Sequence, residues 1–243
     1  MKLLVLMGGP NRIVGNSPYP VFLTEIKGET LLEKLLKRYE IPELTEYIFC
    51  IKQDDADSYN LDAIIKSIIP SAQIVILRGS TRGAVCTALM ARDHIDCEEE
   101  LLVVSVDDFI DSDISKLVVQ YRKENADVGI ANFNSIHPRY SFVRRDADGN
   151  ISGFAEKKPV SREALASFFY FKNGADFTDC AFNVIRKDCM INNSFYISQV
   201  LNEMLLRNKK ICAVSINGEM FHSFKSERQL LSLIETLSAK EKI

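Results

Sequence analysis

The feature that most constrains this chain is a series of short, continuous apolar runs separated by segments of helical periodicity. The runs are LLVLM (3–7), YIFCI (47–51), QIVIL (73–77), LLVVSV (101–106) and VGIANF (128–133). Between the first two, leucines recur at 31, 32, 35 and 36, which predicts a helix from Glu29 to Tyr39. Further helices are expected around 60–68, 83–93 and 113–124. A strand with one wet face alternates apolar and polar residues, whereas a strand apolar throughout is buried on both faces. Such strands, interleaved with amphipathic helices, predict a parallel sheet covered on both sides.

After residue 133 the pattern changes. YSFVRRD (140–146), a turn at Asp148-Gly149 and ISGFAEK (151–157) predict a β-hairpin or neighbouring strands. LASFFYF (165–171) supplies another strand. Helices around 174–187 and 196–207 follow, then ICAVSI (211–216) and a last helix from about Ser226 to Lys240. No linker, repeat or low-complexity stretch divides the chain. The expectation is one domain over residues 1–243, with an α/β, three-layer, Rossmann-like fold around a mostly parallel mixed sheet.

Charge narrows the partners. Thirty Lys and Arg against thirty-three Asp and Glu give a net charge of −3, without the basic excess of a nucleic-acid binder. A small anion held by a few local cations stays compatible with that balance. The first apolar run is too short for a signal peptide, and nothing approaches the 20 or so apolar residues of a spanning helix. A cytoplasmic protein without membrane insertion is expected. The six cysteines form no CxxC pair and have no histidine at ligand spacing, so neither structural zinc nor a disulfide framework is expected. Most are read as reduced core thiols.

Three places carry candidate chemistry. The first strand enters MGGPNR, where Gly8 and Gly9 after Met7 would let backbone N–H groups approach a phosphate; a plain strand-to-loop turn explains them too. Arg12 in the same loop is either a phosphate ligand or an ordinary surface cation. At the carboxyl end of LLVVSV, where open parallel sheets bind ligands, stand Asp107 and Asp108. Adjacent carboxylates there suit Mg²⁺, although turn and helix-capping roles ahead of the next helix account for them equally. AEKKP (155–159) closes a strand, and strand alternation would send Glu156 and Lys157 to opposite faces. Gly83 in TRGAVCTAL could cradle a phosphate or pack a helix closely against a strand. His137, Arg139 and Tyr140 in HPRY, with Arg144 beyond them, either bind an anion or make a solvated hairpin entry.

In this order the landmarks resemble the sugar-phosphate nucleotidyltransferases, whose domain has a glycosyltransferase-A-like fold. LVLMGGPNRIVGNSPYPVFLTEIKGETLLEKLL is similar to the family's opening strand and Gly-rich loop, with Gly8 at the first glycine, Arg12 at the loop arginine and Pro20 at its proline. VVSVDDFIDSDISKL resembles the strand that ends on the metal-binding aspartate, which puts Asp107 at that position. DGNISGFAEKKP with FFYF resembles the Glu-Lys-Pro strand pair, and FHSFKSERQL the segment before the last helix. The resemblance spans essentially the whole chain. It is nearest to a subgroup associated with capsule and lipopolysaccharide biosynthesis.

That resemblance implies a Mg²⁺-dependent enzyme, with a nucleoside triphosphate and a phosphorylated small-molecule acceptor as partners and oligomerisation left open. Arg12 would hold the β- and γ-phosphates, and Met7, Gly8, Gly9 and Gly83 the nucleotide. Asp107, with Asp108 as an auxiliary ligand, would bind the metal. Glu156 and Arg144 would contact the acceptor and Lys157 its phosphate. The chain departs from the pattern at Val21 (a lysine in the family), Pro10 and Val106 (glycines) and Gln199 (a second metal-binding aspartate). Two rival readings follow: a non-catalytic homologue that binds a nucleotide or sugar phosphate, and a glycosyltransferase using a nucleotide-sugar with Asp107 and Asp108 as its acidic pair.

Overall fold

The computed structural model describes residues 1–10, 17–225 and 227–240. In chain order, β1 (Lys2–Met7) leads through a single 3₁₀ turn (Val21–Leu23) to a small ribbon, β2 (Glu25–Ile26) and β3 (Glu29–Thr30), and then to α1 (Leu31–Arg38). Next come β4 (Glu46–Lys52), α2 (Gln53–Tyr59), α3 (Leu61–Ile68), β5 (Gln73–Leu77), α4 (Ala84–Leu89) and α5 (Arg92–Ile95). The middle of the chain forms β6 (Leu101–Ser105), β7 (Asp108–Ile110), α6 (Ile114–Lys123), β8 (Val128–Asn134), β9 (Ser141–Arg145), β10 (Ile151–Glu156) and β11 (Glu163–Phe171). It ends with α7 (Gly174–Arg186), α8 (Ile197–Leu206), β12 (Ile211–Ser215), β13 (Phe221–Ser223) and α9 (Glu227–Lys240).

Nine strands make one twisted sheet. β5, β4, β1 and β6 lie side by side and parallel. β11 then pairs antiparallel with β6, β8 and β9, and β12 adds in parallel beside β8. Within this sheet only β11 and the edge strand β10 oppose the common direction. Alternate residues of β1 divide between two cores. Leu3, Val5 and Met7 face α1, α3, α6 and α9; Leu4 and Leu6 face α4, α5, α7 and α8. The same split runs through β4 (Phe49 and Ile51 against Ile48 and Cys50), so a fully apolar strand is required. This is the predicted three-layer arrangement, with the sheet mixed and mostly parallel.

Local chemistry corrects several boundaries. The first helix begins two residues later than the leucine period implied, because Thr30 caps it. The Thr30 hydroxyl accepts from the Glu33 N–H at 3.2 Å, and the Glu33 carboxylate accepts from the Thr30 N–H at 2.6 Å, closing a capping box. Replacing Thr30 with alanine is expected to cost about 1 kcal/mol and to lower the melting temperature by about 2–4 °C in thermal unfolding. The α2 helix was not expected, since QDDADSY has no apolar period; its anchor is the buried Asp55, paired with Lys52 at 3.5 Å. The helix predicted over 83–93 is two short ones, α4 and α5. The β7–β13 ribbon, too short to register as a sequence pattern, joins the segment after Asp107 to the one before α9.

The cysteine reading holds only in part. All six thiols are free, but Cys50 and Cys180 alone are buried, and the other four are partly exposed. Burial pushes the Cys50 thiol up to about 12, far from the range of a reactive thiolate. Among the described residues no helix is long and apolar enough to cross a membrane.

Candidate active site

Because β1 and β6 are neighbours in register, with Leu6 opposite Ser105, the segments that leave them emerge together. The Val106 N–H donates to the Leu6 carbonyl at 3.2 Å and prolongs the pairing by one residue. Between these exits and the turn into α4 lies a cavity of about 260 Å³. Met7, Gly8 and Gly9 form one wall, Asp107 another, and Thr81, Gly83 and Thr87 a third. It sits where ligands of open parallel sheets gather.

Gly8 and Gly83 have steric reasons to be there. A Cβ on Gly8 would fall 2.8 Å from both the Thr87 Oγ1 and a Leu77 methyl. Gly9 has room for a Cβ, which would lie 4.0 Å from Asp107 Oδ2, so its backbone runs close beside the carboxylate. Gly83 has φ +102, and a Cβ there would be 2.5 Å from the Phe195 carbonyl oxygen. The Phe195 N–H donates to the Arg82 carbonyl at 2.8 Å, and the Val85 N–H to the Phe195 carbonyl at 3.2 Å. The turn into α4 is thereby locked to the segment before α8, and Ser194 of that segment joins the cavity wall.

Asp107 and Asp108 do not line the cavity together. Asp107 is half-buried in the cavity wall, and its N–H donates to Ser105 Oγ at 3.3 Å. Asp108, the first residue of β7, is buried away from the cavity with one oxygen 2.7 Å from Lys225 Nζ. Burial, and after it the charge of Asp108, raises the pKa of the Tyr39 phenol, so this carboxylate belongs to the interior beneath α1. Successive residues entering a strand point to opposite sides, which the adjacent-carboxylate reading overlooked. Among the described residues no three His, Cys, Asp or Glu side chains cluster as a ready-made metal site. A single carboxylate facing a phosphate-sized cavity still fits Mg²⁺, which keeps water and substrate oxygens as its other ligands.

Glu156 and Lys157 come to one side, against the strand-alternation expectation. β10 ends at Glu156, and Lys157 takes a left-handed backbone with φ +53, which breaks the alternation. Glu156 Oε2 accepts from the Ser198 hydroxyl at 2.7 Å and from Ser141. The Lys157 ammonium donates to the Tyr196 phenol and lies 4.5 Å from its ring centroid. Both side chains therefore meet the first residues of α8, beside Phe195 and Ser194. Arg144 is not brought there. It pairs with Gly153, three residues further along β9 from the Ser141–Glu156 pair, or about 10 Å towards the Asp146–Asn150 turn.

The Gln199 side chain is engaged in a helix cap and is not among the groups that line the cavity. Its side-chain oxygen accepts from the Tyr196 N–H at 2.7 Å and caps α8. Val21 and Phe22 from the 3₁₀ turn line the cavity with apolar surface, and Pro10 and Val106 also line it. Arg12 lies outside the described residues. His137, Arg139 and Tyr140 border a separate depression that shares no residue with this cavity. Sequence reasoning passed over Thr81, Thr87, Ser194 and Tyr196. The first two share a hydroxyl hydrogen bond of 2.6 Å within the cavity.

Comparison with known proteins identifies a family and a fold. The family model described as nucleotidyl transferase matches residues 16–206. No curated protein matches the chain in sequence. Among solved structures, a nucleoside-diphosphate-sugar pyrophosphorylase from Vibrio cholerae RC9 superposes with a TM-score of 0.77 at 17% identity, over 97% of this chain and 100% of that one. HddC from Yersinia pseudotuberculosis gives 0.68 at 15% identity, over 97% and 99%. A UDP-glucose pyrophosphorylase solved with UDP-glucose gives 0.73 at 15% identity, over 98% of each chain. At these identities the likeness is one of fold.

Proposed function

The chain belongs to the nucleotidyl transferase family, and on that premise we propose that it transfers a nucleoside monophosphate from a nucleoside triphosphate to a sugar phosphate. The observation that carries the proposal is the cavity itself, about 260 Å³ at the carboxyl ends of β1 and β6, lined by the side-chain-free backbone of Gly8 and Gly9 and by Asp107. The ligands in complexes of structural neighbours, GMP-PN with HddC and UDP-glucose with the UDP-glucose pyrophosphorylase, support the same class of substrate.

In this reading an oxygen of the acceptor phosphate attacks the α-phosphorus in line. The bond from that phosphorus to the bridging oxygen breaks, and pyrophosphate leaves with the electron pair. The acceptor phosphate is already a nucleophile, so positioning and charge stabilisation carry the catalysis. Met7, Gly8, Gly9 and Gly83 hold the nucleotide, Gly83 offering a flat backbone surface to it. Asp107 holds Mg²⁺, which supplies neutralising charge to the phosphates when bound. Arg12, placed by sequence in the same loop, takes the β- and γ-phosphates. Glu156 and Lys157 form the acceptor edge, with Lys157 on the phosphate. Val21 puts apolar surface where the family has a lysine, which leaves Arg12 as the loop's cation. We assign the product to surface-polysaccharide synthesis in the cytoplasm, by resemblance to the capsule-associated subgroup.

Titration calorimetry of CTP, UTP, ATP and GTP with Mg²⁺ tests the nucleotide half of this reading. One triphosphate is expected to bind preferentially, with affinity reduced at least tenfold, or about 1.4 kcal/mol, in Asp107→Ala. Binding of none of the four would remove the triphosphate from the reading. Preference for an intact nucleotide-sugar over every triphosphate would move it to a glycosyltransferase.

A further inference from the structure

The acceptor edge contains an arrangement that neither the family nor the sequence assigns. Lys157 has a left-handed backbone, which for a non-glycine residue costs about 1 kcal/mol or more and persists where surrounding structure enforces it. Its N–H donates to the Tyr140 carbonyl at 3.0 Å, fixing the turn out of β10. Its ammonium then meets the phenol oxygen of Tyr196, with the ring centroid 4.5 Å away. Tyr196 is itself held, with its N–H on Gln199 at 2.7 Å and its predecessor Phe195 bonded to the turn into α4. The neighbouring carboxylate, Glu156, takes hydrogen bonds from Ser141 and Ser198 rather than from Lys157.

We propose that Tyr196 is the positioning residue for Lys157, holding its ammonium at the rim of the cavity for the phosphate of the acceptor. The inference rests on the reaction proposed above, for the identity of that phosphate. The chemistry explains why a tyrosine suits the position. A carboxylate would fix the ammonium as well but would neutralise it. A neutral phenol oxygen holds a cation through a dipole, leaving its full charge for an anion. Backbone contacts through Phe195 connect this anchor to Gly83, so the nucleotide wall and the acceptor edge share one rigid segment.

The test compares Tyr196→Leu, which removes ring and hydroxyl, with Tyr196→Phe, which keeps the ring. In turnover assays the acceptor KM is expected to rise about fivefold in Tyr196→Leu and about threefold in Tyr196→Phe, which keeps the ring but loses the hydrogen bond to the ammonium. The triphosphate KM and kcat should stay within about twofold, a split that a merely structural residue would not give. A second readout needs no turnover. Lysines are labelled by reductive ¹³C-methylation, the Lys157 signal is assigned by its absence in Lys157→Arg, and inorganic phosphate is titrated in.

The wild-type Lys157 signal should be displaced from those of solvated lysines by its contact with the Tyr196 phenol and should respond to phosphate. In Tyr196→Leu that displacement should vanish and the phosphate affinity should fall at least fivefold, or about 1 kcal/mol. An unshifted wild-type signal, or equal phosphate affinity in wild type and Tyr196→Leu, overturns the proposal. Wild-type protein that shows the phosphate response but never turns over would instead sink the reaction and leave the Tyr196 assignment standing.

Discussion

Asp107→Asn is expected to lower turnover by at least about a hundredfold while leaving the melting temperature within about 2 °C of wild type. The side chain is half-buried in the cavity wall and faces Gly9. Losing one preorganised charge at such a centre typically costs about 3–4 kcal/mol of transition-state stabilisation. Asp108→Asn should behave in the opposite way. Its carboxylate is buried and compensated by Lys225 at 2.7 Å, so the change costs stability, about 2 kcal/mol given the partly exposed lysine. Turnover of the folded Asp108→Asn protein should stay near wild type. Pyrophosphate release and thermal unfolding of both variants separate the two aspartates; equal loss of turnover in both would show that they act as a pair after all.

The second large effect concerns Gly83. Alanine there adds a Cβ 2.5 Å from the Phe195 carbonyl oxygen at a backbone angle of φ +102. Backbone strain and overpacking each contribute on the order of 1–3 kcal/mol. Gly83→Ala is therefore expected to lose about 3 kcal/mol of stability and to melt about 6–12 °C lower. Triphosphate binding should weaken further than stability alone explains, because the displaced segment carries both Ser194 and Tyr196. Gly149 provides the control, with φ +84 and open space around a Cβ; Gly149→Ala should cost about 1 kcal/mol and leave binding intact. Denaturant melts of the two variants, run beside calorimetry, distinguish a clash from a torsional cost.

The fold was legible because its dominant signal is local and strong. Strands buried on both faces have no choice but to be apolar at every position, as Leu3 to Met7 are when they alternate between two cores. The same strength placed Gly8, Gly9 and Asp107, which follow directly from two such strands. What escaped depends on contacts distant in sequence. Thr81, Thr87 and Ser194 carry no periodic signal, and only packing makes a cavity of them.

Asp108 was read by adjacency, but strand geometry turned it away from its neighbour. Lys157 was read by alternation, although the strand had already ended at Glu156. Gln199 was read as a missing metal ligand, yet its amide oxygen turns back to the Tyr196 N–H as a helix cap, a role that a tyrosine at the cap position does not signal in sequence. Spacing shows which residues can meet. Backbone direction decides whether they do.

The central claim is the transfer itself, and ³¹P NMR of the reaction mixture tests it most directly. Wild-type protein is incubated with Mg²⁺, the triphosphate selected by calorimetry and a panel of sugar 1-phosphates. The account predicts pyrophosphate and a nucleoside-diphosphate sugar appearing in equal amounts, and neither product at a comparable rate from Asp107→Asn. A bound triphosphate that stays intact across the whole panel would contradict it and leave a nucleotide-binding protein without this reaction.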